Sequence, residues 1–290
     1  MGKHAYLIIA HNEFEVLEAL LRMIDDERND IYLHIDSKVP NIEKLNLEKN
    51  VEISDLTILG ERISVTWGDY SQIDCELKLL KEALKTEHDY YHLLSGVDLP
   101  IKSQNEIHDF FDKCNKKQFL HIDAPTLSAK YKKRADKYWL INKRNRTLPE
   151  KIINELFLLL QFMVHRCKKS GLVYQKGANW FSITHDFARY VIGQEELIKE
   201  TFKQTITADE MFVQTLLMSS DYREQLFDKR MNGDYGAIKR EIDWERGEPY
   251  VYRLEDLNQL LCSTNFFARK FSWNVDSEIV KALEEKIKAC

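Results

Sequence analysis

The sequence predicts an α/β protein with a mostly parallel central sheet and helices on both faces, and three observations carry that expectation. Strand-like and helix-like segments alternate in short order through the first third, as they do when crossover helices join parallel strands. Hydrophobic residues make up 44% of the 290 positions, enough for a sizeable core. No internal repeat, low-complexity tract or Gly/Ser linker interrupts the chain, so residues 1–290 read as one domain.

Taken in order, the apolar strand AYLIIA (Ala5 to Ala10) is followed by the amphipathic EFEVLEALLRMI and then by a second strand in DIYLHIDSK. VEISDLT reads as a third strand, SQIDCELKLLKEAL as a helix and YYHLLSG as a fourth strand. Ligands of such sheets bind beyond the strand C-termini. That rule directs attention to His11, to Asp36-Ser37-Lys38, to Val65-Thr66-Trp67-Gly68 and to Ser95-Gly96-Val97-Asp98.

The middle differs in composition. Basic stretches KYKKR (Lys130 to Arg134) and NKRNR (Asn142 to Arg146) lead into Thr147-Leu148-Pro149-Glu150, a capping box with proline at an early helical position. Behind it runs IINELFLLLQFMV, too short and interrupted to span a bilayer. A basic-flanked helix of this kind suits either burial between layers or an anionic membrane surface, and burial is preferred here. The last third returns to α/β texture with KGANWFSITHDFARYVI, TADEMFVQTLL and a run ending in LNQLLCSTNFFARKFSW.

Composition narrows the chemistry. The 42 basic and 47 acidic residues give a formal charge of −5, with no basic excess for nucleic-acid binding. The N-terminal apolar run of MGKHAYLIIAHNEF is too short for a signal-peptide core, so a cytoplasmic location is expected. Cys75, Cys114, Cys167, Cys262 and Cys290 are scattered without C-x-x-C spacing, which points to free thiols rather than disulfides or zinc. G-x-G, the phosphate-binding P-loop, H-E-x-x-H and G-x-S-x-G are all missing. Acids at strand ends suggest a nucleotide-sugar transferase, yet no D-x-D exists to hold a metal against a diphosphate. Fixed arginine and lysine side chains are the physical substitute.

The ordered set AYLIIAHNEF, YLHIDSK, VTWGDYSQIDCELKLLKEAL, YYHLLSGVDLPIKSQNEI, GANWFSIT, TADEMFVQTLL and DLNQLLCSTNFFARKF resembles the core-2/I-branching β-1,6-N-acetylglucosaminyltransferase family, which includes peptide O-xylosyltransferases and many bacterial members. Only about 124–170 matches weakly. The resemblance implies a GT-A-type nucleotide-sugar-binding fold and an inverting transferase that works without metal or other cofactor. It places the uridine part of a UDP-sugar donor against Ile9-Ala10-His11 and Asp36-Ser37-Lys38, with Trp67 touching the nucleotide and Asp98 in a donor-side or structural role. Lys270 in FARKF would meet the leaving diphosphate, with Arg246 or Arg253 as its partner.

The resemblance makes Glu210 the catalytic base. Its residues alone favour a different role, because Thr207-Ala208-Asp209-Glu210 has the form of a helix capping box. Asp209 could supply the dipole-complementing charge in Glu210's place and is also an acceptor-side candidate. Trp180 and Trp244 are candidates for stacking on acceptor sugars, core packing being an equal contender for Trp180. N-acetylglucosamine is the first choice of donor sugar and xylose or another hexose the second. A glycan or lipid-linked oligosaccharide is the expected acceptor, as in bacterial polysaccharide biosynthesis, and the basic middle region the expected contact with an anionic membrane. A non-catalytic sugar-nucleotide or glycan-binding module, with Glu210 as a cap only, is the competing reading.

Overall fold

The computed structural model describes residues 2–114 and 116–288. Strand β1 (His4–Ala10) leads through helix α1 (Phe14–Ile24) to β2 (Asn29–Ile35) and β3 (Asp55–Ile58); α2 (Ser71–Ala83) then precedes β4 (Tyr90–Ser95) and the short β5 (Asp98–Pro100). After α3 (Gln104–Lys113) and β6 (Phe119–Leu120) come α4 (Ala129–Asp136), α5 (Leu148–Leu159) and α6 (Arg166–Ser170). Next are β7 (Phe181–Thr184), α7 (His185–Gly193), α8 (Glu195–Phe202) and α9 (Phe212–Met218). The chain closes with β8 (Arg240–Ile242), α10 (Leu257–Cys262), β9 (Phe267–Arg269) and α11 (Ser277–Lys288).

The main sheet has the order β3-β2-β1-β4-β7-β6, parallel from β3 to β4, with β7 and β6 added antiparallel. A second, three-stranded sheet orders β5-β9-β8. Strand β1 is buried along its whole length and shows why the two faces must both be covered. Its Tyr6, Ile8 and Ala10 join one apolar cluster with Val16 and Leu20 of α1 and Ile279 and Leu283 of α11. Ala5, Leu7 and Ile9 join the other, with Leu77 and Leu80 of α2, Phe187 of α7 and Phe212 of α9. Strand alternation thus divides one sequence run between two cores, as expected for a sheet sandwiched by helices.

Two local expectations are corrected. Strand β3 starts at Asp55 rather than Val51, because the amides of Glu52, Ile53 and Ser54 donate to the Asp25 carboxylate instead of a ladder, at 2.7, 3.1 and 2.7 Å. Helix α5 is not buried between layers. Its inner face holds Leu158 in a small cluster with Trp139 and Ile206, and polar Asn154, whose side chain brackets the Ile141 backbone at 3.1 and 2.9 Å. Its apolar stripe is turned to the surface. The capping box at its start does form, Thr147 N donating to the Glu150 carboxylate at 2.8 Å. Cys75, Cys114, Cys167 and Cys262 are free thiols; Cys290 lies outside the described residues.

Behind β1 and β4 sits a buried histidine cluster. His4 stacks on His108 with ring centroids 3.9 Å apart, and its Nδ1 lies 3.2 Å from His92 Nε2. His92 is anchored to Ser182 Oγ at 2.8 Å and His108 to Asn29 Oδ1 at 2.9 Å. Burial lowers the pKa of all three, that of His108 to about 4. A histidine whose folded pKa is depressed contributes fully above its unfolded value of about 6.5 and loses that contribution as pH falls toward the folded value. Between pH 7 and pH 5, urea titrations are therefore expected to shift in favour of the His108→Gln variant over the wild type by about 2 kcal/mol.

Candidate active site

Strands β1 and β2 end side by side, Ala10 opposite Ile35, so His11 and Asp36 emerge together at the C-terminal edge of the sheet. Asp36 is buried, and its carboxylate accepts from Lys38 N at 2.8 Å and Val65 N at 3.1 Å while Lys38 Nζ stands 3.3 Å away. The Lys38 ammonium also donates to the Val65 carbonyl. Asp36 thereby shapes the loop that carries Trp67. That indole is 56% exposed, and the Arg144 guanidinium lies 4.1 Å over its ring. Gly68 follows at φ +84°, where a Cβ would meet the Arg144 backbone at 3.0 Å. His11 has its pKa lowered by desolvation, reinforced by Lys38, Lys270 and Arg269 against the pull of Asp36. These charges therefore share one electrostatic neighbourhood.

The second sheet delivers Lys270 there. Antiparallel pairing of β5 with β9 sets Asp98 opposite Arg269. The buried Asp98 carboxylate accepts from Arg269 Nη1 at 2.7 Å and from Ser95 N at 2.9 Å, and the same Nη1 reaches Ser95 Oγ at 2.6 Å. The guanidinium is backed by the Trp180 ring at 4.6 Å. Lys270 follows, its carbonyl accepting from Tyr252 N at 3.0 Å. Its ammonium has no ion-pair or hydrogen-bond partner among the described residues. Arg246 is paired to Asp256 at 2.7 Å and to Asp243, and stacked on Tyr250. Arg253 is exposed. Arg269, the residue before Lys270, has its guanidinium committed to Asp98 and Ser95.

Glu210 lies in the segment that joins the Trp67 loop through a backbone hydrogen bond from Thr207 N to Gly68 O. Thr207 adopts φ 47°, ψ 49° and its hydroxyl donates to the Ile206 carbonyl, so the capping box does not form. Residues Ala208–Glu210 make a single 3-10 turn, and α9 starts only at Phe212. The freed carboxylate lies 3.2 Å from Arg134 Nη1 and 3.6 Å from Lys176 Nζ. Lys176 also pairs with Asp123 at 2.8 Å, and both cations face the Tyr131 ring at 4.7 and 4.8 Å. Tyr235, within electrostatic reach of Lys176, Asp123 and Glu210, adjoins the half-exposed Trp244, ring centroids 6.2 Å apart.

Two backbone contacts lock this half to the rest. Thr207 N donates to Gly68 O at 2.8 Å, and Gly177 N to Glu210 O at 2.9 Å. Position 177 admits only glycine, because a Cβ would sit 1.6 Å from the His121 carbonyl oxygen. Asp209 does not reach the acceptor surface: it is buried, one carboxylate oxygen lacks a partner, and burial with the Glu210 charge pushes its pKa up to about 7. Beside it, burial also raises buried Glu76 well above the carboxylate range, against a 2.8 Å hydrogen bond from Gln72. Of the two roles considered for it, Trp180 takes up core packing, against the second cluster, and its ring also backs the Arg269 guanidinium. Arg134, Lys176, Tyr235 and Arg269 were not singled out by sequence reasoning. KYKKR marked the neighbourhood of Arg134, but nothing in one sequence distinguishes it from its basic neighbours. Among the described residues, no three His, Cys, Asp or Glu side chains converge as a metal-ligand set.

A parallel sheet whose C-terminal edge brings together His11 and the buried Asp36, with the charge of Lys270 felt at His11, has its polar groups where ligands of such sheets bind. The core-2/I-branching enzyme family model matches residues 4–263, and the chain belongs to that family. Xylosyltransferase 2 of Rattus norvegicus is 24% identical over 97% of this chain and 33% of its own length. A beta-1,3-galactosyl-O-glycosyl-glycoprotein beta-1,6-N-acetylglucosaminyltransferase of Bos taurus is 24% identical over 98% of this chain and 69% of that one. The chain thus spans about a third of the length of the xylosyltransferases it matches. The apo structure of mouse xyloside xylosyltransferase 1 aligns over 92% of this chain and 96% of that one, with a TM-score of 0.36 and 8% identity.

Asp98→Ala would leave Arg269 without its carboxylate and the Ser95 amide without an acceptor. Unfolding in urea at pH 7 is expected to show a loss of about 2–4 kcal/mol.

Proposed function

We propose that this chain transfers a sugar from a UDP-sugar to a hydroxyl of a glycan acceptor with inversion, using Glu210 as general base and Lys270 with Arg269 against the departing diphosphate. The observation that supports it most is the Glu210 carboxylate, released from its helix cap and held by Arg134 and Lys176 instead. Inverting displacement needs one carboxylate to take the hydroxyl proton as that oxygen attacks the anomeric carbon. The diphosphate must leave from the opposite face, and its growing charge is met best by donors fixed beforehand. Arg269, held by Asp98 and Trp180, and Lys270 are such donors, so the reaction is proposed to need no metal.

Ile9, Ala10, His11, Asp36, Ser37, Lys38 and Trp67 form the nucleotide side of this reading. Trp244 and Tyr235 form the acceptor side, where amphipathic rings suit sugar faces. Arg134 and Lys176 orient the Glu210 carboxylate. N-acetylglucosamine is the first donor sugar proposed. The names of the xylosyltransferases that align over nearly the whole chain support xylose as the second.

Thermal shift with UDP-N-acetylglucosamine and UDP-xylose is expected to raise the melting temperature most for the true donor, since ligand binding to the folded state alone stabilises it. Glu210→Gln should keep that shift while kcat falls by about 100-fold or more. A variant that turned over normally would remove Glu210 from the chemistry. Activity should survive excess EDTA; a rate restored only by added manganese would show that cations from the protein do not suffice.

A further inference from the structure

We infer that the exposed apolar stripe of α5 and the turn after it is a docking surface for an anionic lipid bilayer. Leu148, Ile152, Leu156 and Leu159 recur at helical spacing on one side of α5 and are 71, 52, 60 and 73% exposed. Phe162 and Met163 extend the stripe at 78 and 75%. Besides Leu158, packed with Trp139 and Ile206, the helix and its following turn are tethered to the body by polar side chains, Asn154 on the Ile141 backbone and Gln161 on Tyr138 N and O at 2.8 and 2.9 Å. An apolar face of this extent on a water-soluble surface marks an interaction site.

Charge decides the occupant. Residues 128–173 hold twelve Lys and Arg against three Asp and Glu, within a chain of net charge −5. The basic elements lie alongside α5, because Lys133 of α4 reaches Glu155 at 3.9 Å and Lys143 reaches Glu150 at 2.7 Å. Lys132, Lys151, Lys168 and Lys169 are exposed and carry no ion pair among the described residues. A second copy seated on this face would bring the two cationic rims together, which costs several kcal/mol. An anionic bilayer instead takes the aliphatic stripe into its acyl boundary and the rim against its headgroups. Helix α5 has twelve residues, and no described helix is long and apolar enough to cross a membrane, so the helix lies in the interface plane.

The surface adjoins the catalytic cleft. Arg134 of α4 contacts Glu210, and Arg144, between α4 and α5, covers Trp67. Resting on the proposed transfer reaction, this placement favours an acceptor carried on lipid, delivered at the membrane to the carboxylate that activates it. The docking itself does not depend on that reaction, so binding is measured without turnover.

Flotation of the full chain with phosphatidylcholine vesicles, with and without phosphatidylglycerol, tests the surface. Binding is expected to the anionic vesicles only and to weaken with salt. Leu159→Glu combined with Phe162→Glu should abolish it, and Lys168→Glu with Lys169→Glu should weaken it by about tenfold or more. All are exposed positions, so circular dichroism is expected to be unchanged. Absence of the wild type from the anionic vesicle fraction at low salt would overturn the proposal. So would binding indifferent to Leu159→Glu/Phe162→Glu, or a wild-type dimer in sedimentation velocity that this double variant dissolves.

Discussion

The ion pair between Asp98 and Arg269 holds the site together. It is formed across the β5–β9 register, closed by Ser95 at the end of β4 and backed by Trp180. Because Asp98 is buried and Arg269 largely so, neither charge is stable without the other. The pair fixes the small sheet to the edge of the large one, and Lys270, the next residue, is carried to the place where its charge is felt at His11. The guanidinium is committed to a carboxylate, while the ammonium of the next residue has no partner among the described residues.

A second constraint sets the opposite wall. Glu210 sits in a turn whose backbone is engaged twice, by Gly68 through Thr207 and by Gly177, where the His121 carbonyl leaves no room for a side chain. With the turn so held and Thr207 in a left-handed conformation, the carboxylate is released to Arg134 and Lys176. Next to it, Asp209 and Glu76 are buried acids whose pKa values burial raises. Buried groups perturbed in this way cluster at functional sites, which agrees with the placement of Glu210.

The parts of the site that follow strand ends were legible. The positions of His11 and Asp36 could be named because a parallel sheet opens its crevice at the C-terminal edge; Trp67 was expected directly after a strand, but β3 ends at Ile58 and Trp67 lies in the loop that Asp36 holds through Val65. Arg269 was not legible as a partner of Asp98, since 171 residues separate them and only strand register joins them. The TADE segment was legible as a cap by its letters and failed as one through its backbone. Helix α5 misled in another way: an apolar run bounded by lysines has the same periodicity whether its stripe faces a core or the surface, and the polar anchors Asn154 and Gln161 decided which.

The sequence by itself determined the alternation of strands and helices, the buried β1 that serves two cores, and the free thiols of the four described cysteines. Each of these follows from periodicity or residue type within a short window. Only the tertiary structure decided that Arg269 is committed to Asp98, that Glu210 is released from its cap, that Asp209 is buried, and that α5 wears its apolar face outward. All four depend on contacts between segments far apart in the chain, where burial and charge pairing outweigh local preference.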